Sequence, residues 1–188
     1  YLLVPQIGTD RTESVADLEY LADGRLFYVG PCKYTPNVTA YFYVCYGSVN
    51  PDGTQAAGRG KFFISDYDDY PTQVLRSGDG ALLIAGYSEN SSNFTGAEIF
   101  ARVSYSATSG TSFDATFNPG STSPGRLVGT YVTSIHPGSL TFALSGNQEI
   151  YQTIVTHGPS GGAGPFVPRV IARHSDGSVR ATWGGTAN

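Results

Sequence analysis

The densest set of side chains that could do chemistry is Ser65-Asp66-Tyr67-Asp68-Asp69-Tyr70. Asp66, Asp68 and Asp69 supply the hard oxygen ligands that Ca²⁺ takes in sets of about six to eight, so they form a candidate calcium site. The segment lacks the glycine and the distant glutamate of a helix-loop-helix calcium loop, and the competing expectation is a solvated connection between repeats. Glycosidase chemistry needs two carboxyls about 5 to 9.5 Å apart, and nothing in the spacing of Asp66, Glu98 and Glu149 brings them together. Gly158-Pro159-Ser160-Gly161-Gly162 has the form of a nucleophile elbow, but that device needs a helix after the serine. Ala163-Gly164-Pro165 follows instead, so a flexible loop is expected. His136, His157 and His174 have no metal-ligand spacing and are expected on the surface. These residues compose no catalytic set and imply no cofactor.

Cys32 and Cys45 lie 13 positions apart, flanked by strand-like runs. If those runs form a hairpin, the sulfurs face each other across it and a disulfide follows; free buried thiols are the alternative. Asn-x-Ser/Thr sequons at Asn37, Asn90 and Asn93 fall in segments that read as inter-strand loops, making these three asparagines glycosylation candidates. Together with only two lysines, Lys33 and Lys61, and no methionine, these features predict a secreted or cell-surface glycoprotein. A chain opening on Tyr1 without methionine is expected to be a processed or excised piece of a longer precursor. The 13 tyrosines suit strands first, and sugar stacking or subunit interfaces second.

The elements that must position these groups follow from composition. In 188 residues, 14% are charged and Gly plus Pro number 35, which disfavours long surface helices, while 40% hydrophobic residues provide for a core. The net charge of −4 and the absence of any basic run exclude a cationic nucleic-acid stripe. No apolar stretch approaches the ~20 residues of a membrane-spanning helix. The expected object is an all-β, loop-rich globule.

Self-similarity sharpens that expectation. Ala22-Asp23-Gly24-Arg25-Leu26-Phe27-Tyr28-Val29-Gly30 recurs as Gly78-Asp79-Gly80-Ala81-Leu82-Leu83-Ile84-Ala85-Gly86, and more weakly as Ser145-Gly146-Asn147-Gln148-Glu149-Ile150-Tyr151. A second turn follows each, at Asp52-Gly53, Ser109-Gly110 and Asp176-Gly177. Such dipeptides supply the positive φ of tight hairpin turns. Each unit reads as four short antiparallel strands with tight first and third connections, which is blade-like. One repeat-built domain is expected over 1–188, with an N-terminal strand segment at 1–14 and repeats at 15–70, 71–126 and 127–188.

Residues 15–185 resemble the delta-60 repeat family of β-propeller-like proteins. Asp79 to Gly86, Ile99-Phe100-Ala101-Arg102-Val103 and Ser112-Phe113-Asp114-Ala115-Thr116-Phe117 carry the likeness, as do Val170 to Val179 in the third unit. The family arginine corresponds to Arg102 and Arg173, with Tyr46 in its place in the first unit. The resemblance implies blades, and it implies no catalytic residue. Three blades are fewer than the four to eight of a closed propeller. The propeller is therefore expected to be either incomplete or closed by oligomerisation, with the apolar run at residues 1–7 completing a sheet, more readily in a neighbouring molecule. The function expected is non-enzymatic: an extracellular β-repeat protein that is structural, adhesive or self-assembling through its sheet edges. The alternatives are a lectin-like glycan-binding module using loops near 31–39, 88–96 and 157–165, and a secreted hydrolase.

Overall fold

The computed structural model describes residues 11–12, 14–33, 41–92, 95–133, 141–157 and 166–180. Among these the only regular element is the β-strand. The first sheet contains β1 (Arg11–Thr12), β2 (Asp17–Tyr20), β3 (Leu26–Lys33), β4 (Phe42–Val49) and β5 (Gly60–Phe62). Successive strands pair antiparallel from β2 to β5, and β1 adds to the far end of β3. The second contains β6 (Asp68–Arg76), β7 (Leu82–Asn90), β8 (Thr95–Ser106), β9 (Gly110–Phe113), β10 (Arg126–Val128) and β11 (Val132–Thr133). Here β9, β10 and β11 line the outer edge of β8 one after another. The third is β12 (Thr141–Leu144), β13 (Ile150–His157) and β14 (Phe166–Arg173), with Val179 bridged to Arg173.

Each meander is set by its turns. Gly24, Gly53, Gly80 and Gly177 have φ of 83° to 88°, a region nearly closed to side chains. The hydrogen-bond frame repeats as well: the Leu21 amide donates to the Arg25 carbonyl, Ser77 to Ala81, Ser145 to Glu149 and His174 to Ser178. In the third unit the left-handed residue is Gln148 (φ 62°), where Asn147 was expected. In the turn from β8 to β9 the positive-φ glycine comes one residue later, with Gly110 already paired in β9 opposite Ser106.

The sheets stack face to face, with the second in the middle. Phe27, Val29, Val44 and Tyr46 of the first pack on Val74, Leu82, Ile84, Ile99, Ala101 and Val103 of the second. From the other face of the second sheet, Leu83, Ala85 and Phe100 meet Phe142 and Ile150 of the third, with Phe117 wedged among them. Burial on both faces explains the unbroken apolar run Leu82-Leu83-Ile84-Ala85, where a sheet with one wet face would alternate. Stacking also satisfies strand edges. The outward amide of Val74 on β6 donates to Asp17 Oδ2 on β2 (2.8 Å), and that of Phe142 on β12 donates to Gln73 Oε1 on β6 (3.0 Å). By register Asp17 and Gln73 are the same position, opposite Val29 and Ala85, so one inter-repeat contact is made twice.

Several expectations need correcting. Asp68–Tyr70 open β6 and belong to the second sheet, so the solvated connection stops at Tyr67. The boundary expected at 126/127 cuts β10; the second sheet runs on to Thr133 because that segment folds back along β8. The family arginine is also displaced. Arg102 lies opposite Leu83, and the matching cross-strand pairs are Phe27 with Ser48 and Tyr151 with Ala172. Arg173 therefore points to the opposite face of its sheet from Arg102, while Tyr46, two residues before Ser48, keeps the same facing and is displaced along the strand. The apolar run at 1–7 lies outside the described residues.

The glycine closing each Asp-Gly motif lies mid-strand. A Cβ on Gly86 would collide with the Tyr70 carbonyl oxygen and Pro71 Cα, and one on Gly30 with the Ser14 carbonyl oxygen. Both obstacles are backbone, which cannot rotate away. Gly86→Ala should cost about 1–3 kcal/mol by overpacking, whereas Gly120→Ala, whose Cβ meets nothing within 4 Å, should stay within about 0.5 kcal/mol of wild type. Urea denaturation of the two variants measures the contrast.

Candidate functional site

A cleft of about 380 Å³ opens where the connections between sheets meet. One wall is the β5–β6 connection, contributing Ile64, Ser65, Asp66 and Tyr67. The other is the segment around β10, contributing Asn118, Ser121, Thr122, Ser123, Arg126, Val128 and Tyr131.

Beneath the first wall lies Asp69, fully buried. Its Oδ2 accepts the amides of Ile64 (2.6 Å) and Ser65 (3.1 Å), and its Oδ1 accepts the Ser65 hydroxyl (2.6 Å). Ser65 Oγ lies 2.6 Å from Ser88 Oγ, which accepts the Tyr131 hydroxyl (2.8 Å). Donation thus runs from Tyr131 through Ser88 and Ser65 to the carboxylate, tying the floor of the cleft across β6, β7 and the segment before β11. Burial pushes the Asp69 carboxyl up to about 6, partly opposed by the Ser65 and Ile64 hydrogen bonds. Burial likewise raises Tyr131. Ser65 is not a free nucleophile: besides Asp69 and Ser88, its oxygen accepts the Tyr67 amide (3.0 Å).

The second wall is fixed by a different set. Asp114 Oδ1 accepts the amide (2.9 Å) and hydroxyl (2.6 Å) of Thr116, and Arg102 bridges Asp114 (2.8 Å) to Asp79. The Ser77 hydroxyl, the Ala81 amide and the Arg102 guanidinium hold the Asp79 carboxyl down at about 2. Phe117 is fully buried, and Asn118 follows it in a left-handed conformation (φ 50°), its Nδ2 donating to the Arg126 carbonyl (2.7 Å). The Arg126 guanidinium sits 5.0 Å over the Phe113 ring and donates to the Phe63 carbonyl (3.2 Å), while its Nε is buried without a partner. The rings of Tyr67 and Tyr131 meet edge to face at 5.1 Å.

The calcium candidates are not gathered. Asp66 is exposed on the cleft, Asp68 Oδ1 accepts the Phe42 amide (2.8 Å), and Asp69 is spent on the network above. Among the described residues no three His, Cys, Asp or Glu side chains assemble into a metal-binding group. Nor do the acids considered for glycosidase chemistry share a site. Glu98 pairs with Arg173 (3.1 Å) between the second and third sheets, and Glu149 binds Arg180 (2.8 Å) and Tyr151 (2.8 Å). Burial lowers Arg173 despite its partner.

The disulfide joins Cys32 and Cys45, with Cα atoms 5.7 Å apart. The link is diagonal, because Cys32 lies opposite Tyr43 and Cys45 opposite Gly30. Asn90 is the buried last residue of β7, its Oδ1 accepting the Ser92 amide, where a loop asparagine was expected. Asn37, Asn93, His136 and the Gly158–Gly162 segment lie outside the described residues. His157 ends β13, and His174 is exposed beside its turn, as expected. Two of the loops expected to offer glycan sites shrink: β3 reaches Lys33, and β7 and β8 pair out to Asn90 and Thr95. The sequence singled out Asp66 for metal binding, yet gave no signal for Asn118, Arg126 or Tyr131, which reach the cleft only through the pairing of β10 and β11 with β8.

No protein-family model matches the chain, and no curated protein matches it.

Asp69 yields a pH prediction with a definite sign. Its folded pKa of about 6 lies above the ~3.9 of an unfolded aspartate, so the folded state holds the extra proton between these values. The stability this confers is complete below about pH 4 and lost as pH rises through 6. Asp69→Asn should flatten that segment of the stability curve while preserving acceptor and donor. Asp69→Ala strands buried amides and should cost about 1–3 kcal/mol for each one left unpaired. Thermal melts across pH 4–8 distinguish the variants.

Proposed function

We propose that this chain is a non-enzymatic, extracellular repeat protein of the β-propeller-like delta-60 kind, with a structural or adhesive role that rests on self-assembly. The observation that carries the reading is the inter-repeat contact that steps from sheet to sheet and is left open at both ends among the described residues. Leu18 on β2 occupies the register position of Val74 and Phe142. Its amide points away from β3, at an edge that no described strand covers, and Leu18 and Tyr20 are exposed. At the other end Thr141 occupies the position of Asp17 and Gln73, opposite Thr153. It lies on an open face of the third sheet with Ala143, Thr153 and Val170, the last 50% exposed.

A second copy supplies both missing partners when its third sheet meets the β2 end of the first. Two such junctions related by a twofold axis give six sheets, within the range of closed propellers. Tyr28, Cys32 and Cys45 are already buried on the far face of the first sheet, so the junction is confined to β2 and the turn beside it. The disulfide suits an oxidising, extracellular setting. Glu98, Glu149 and Asp69 each being held by structural partners supports a role without catalysis.

Size-exclusion chromatography with light scattering, from low to high micromolar concentration, should show the mass rising to twice that of the chain. Val170→Lys should hold the protein monomeric, with the melting temperature of dilute wild type and no dependence on protein concentration. A monomer throughout that range overturns the assembly reading.

A further inference from the structure

We propose that the cleft between the β5–β6 connection and the β10 segment is a binding site for a neutral hexose ring, presented as the end or branch of a glycan. The proposal is independent of self-assembly, because none of the cleft residues lies on the β2 edge or on the open face of the third sheet.

Three properties of the cleft point to this ligand. The first is an aromatic wall with apolar company: Tyr67, braced edge-on by Tyr131, and the exposed Val128. The C–H face of a pyranose packs on such a surface, and tyrosine joins a flat apolar face to a polar tip. The second is a pair of hydrogen-bonding groups of opposite kind, a carboxylate and a guanidinium whose Nε lacks a partner. The Asp66 carboxylate makes no hydrogen bond or ion pair among the described residues, so it is an acceptor in waiting. Arg126 has no carboxylate partner among them, and its Nε is buried without an acceptor. A buried donor left unpaired costs about 1–3 kcal/mol, and a ligand oxygen reaching it would recover that cost. Adjacent sugar hydroxyls both donate and accept, which matches a carboxylate and a guanidinium sharing one cleft. Because those charges offset, a neutral ring suits the site better than an anion or a cation.

The third property is preorganisation. Ser65 and Tyr131 are fixed by the Asp69 network, and Asn118 is fixed by its bond to the Arg126 carbonyl. Binding to such walls orders little that is not already ordered, which is how a small polar ligand gains affinity. At about 380 Å³ the cleft is at the lower end of small-molecule sites, enough for one or two rings.

The test is an array of immobilised glycans probed with the intact chain, followed by saturation-transfer difference NMR with the methyl glycosides of glucose, galactose, mannose and N-acetylglucosamine. Binding of at least one neutral glycan is expected. Asp66→Asn and Tyr67→Ala should each weaken it roughly tenfold or more while leaving the melting temperature unchanged. In ¹H–¹⁵N spectra the Arg126 Nε–H resonance should shift on addition of the bound glycoside. Val170→Lys, aimed at self-association, should bind as wild type does. No binding across the array overturns the proposal, as does binding unchanged in both Asp66→Asn and Tyr67→Ala. Binding restricted to acidic glycans, lost in Arg126→Gln and kept in Asp66→Asn, overturns the assignment to a neutral ring.

Discussion

The first strand of every repeat carries main-chain donors that point away from its own sheet, and the arrangement of the molecule depends on what accepts them. A buried amide without a partner costs about 1–3 kcal/mol. On β6 the acceptors are Asp17 for Val74 and Glu19 for Arg76 (3.3 Å); on β12 it is Gln73 for Phe142. Each acceptor belongs to the first strand of the preceding repeat, so the repeats must stack in order and in register. The apolar faces supply the larger energy, with Phe27, Ile84, Phe100 or Phe142 each contributing roughly 1.5–3 kcal/mol when fully buried. That energy is non-directional. The edge hydrogen bonds convert a sticky stack into one specific stack, and carboxylates at an exposed edge also discourage indiscriminate strand pairing.

What could be read in the sequence follows the range of the physics involved. Gly24, Gly53, Gly80 and Gly177 announce themselves because positive φ is a demand made within three residues. From the turns, the meander and the Cys32–Cys45 hairpin follow. Residues whose surroundings come from far along the chain were opaque. Asp69 resembles its neighbours Asp66 and Asp68 in sequence, and only the fold delivers the Ile64 and Ser65 amides to it and excludes water. Arg126 and Tyr131 read as loop because β10 and β11 pair with positions about 25 to 40 residues earlier, Ala101 to Thr95. The motif sets Arg173 level with Arg102, whose register position belongs to Ala172. A strand reverses its facing at every residue, and motif spacing does not fix register: Arg102 stands four residues before Ser106 at the mouth of its turn, Arg173 one before His174.

That one-residue difference has a large physical consequence. Arg102 stays partly wet, tying the first turn of its repeat, through Asp79, to the Asp114-x-Thr116-Phe117 corner. Arg173 instead faces inward, pairs with Glu98, and lies 5.8 Å over the Phe100 ring, with its Nε unpartnered. Replacing a buried pair by apolar residues is often neutral or stabilising, whereas removing one partner costs about 3–5 kcal/mol. The pair therefore adds little net stability, but it penalises any slip of the third sheet against the second.

The irregular segments inherit their rigidity from the repeats. Phe117 is held in the core between the second and third sheets, and Gly177 must lack a side chain because its Cβ would press on the Phe117 ring at 2.9 Å. The Asn118 amide then reaches the Asp176 carbonyl (2.7 Å), which docks the cleft wall onto the last turn of the third repeat. The opposite wall hangs from Asp69 at the start of the second. A loop anchored at both walls by buried groups keeps its polar side chains in place without a ligand, and that is the condition under which Asp66 and Arg126 stay apart across the cleft instead of collapsing into an ion pair. Their separation follows from the framework, which is why a site of this kind can sit in connections whose local sequence carries no motif.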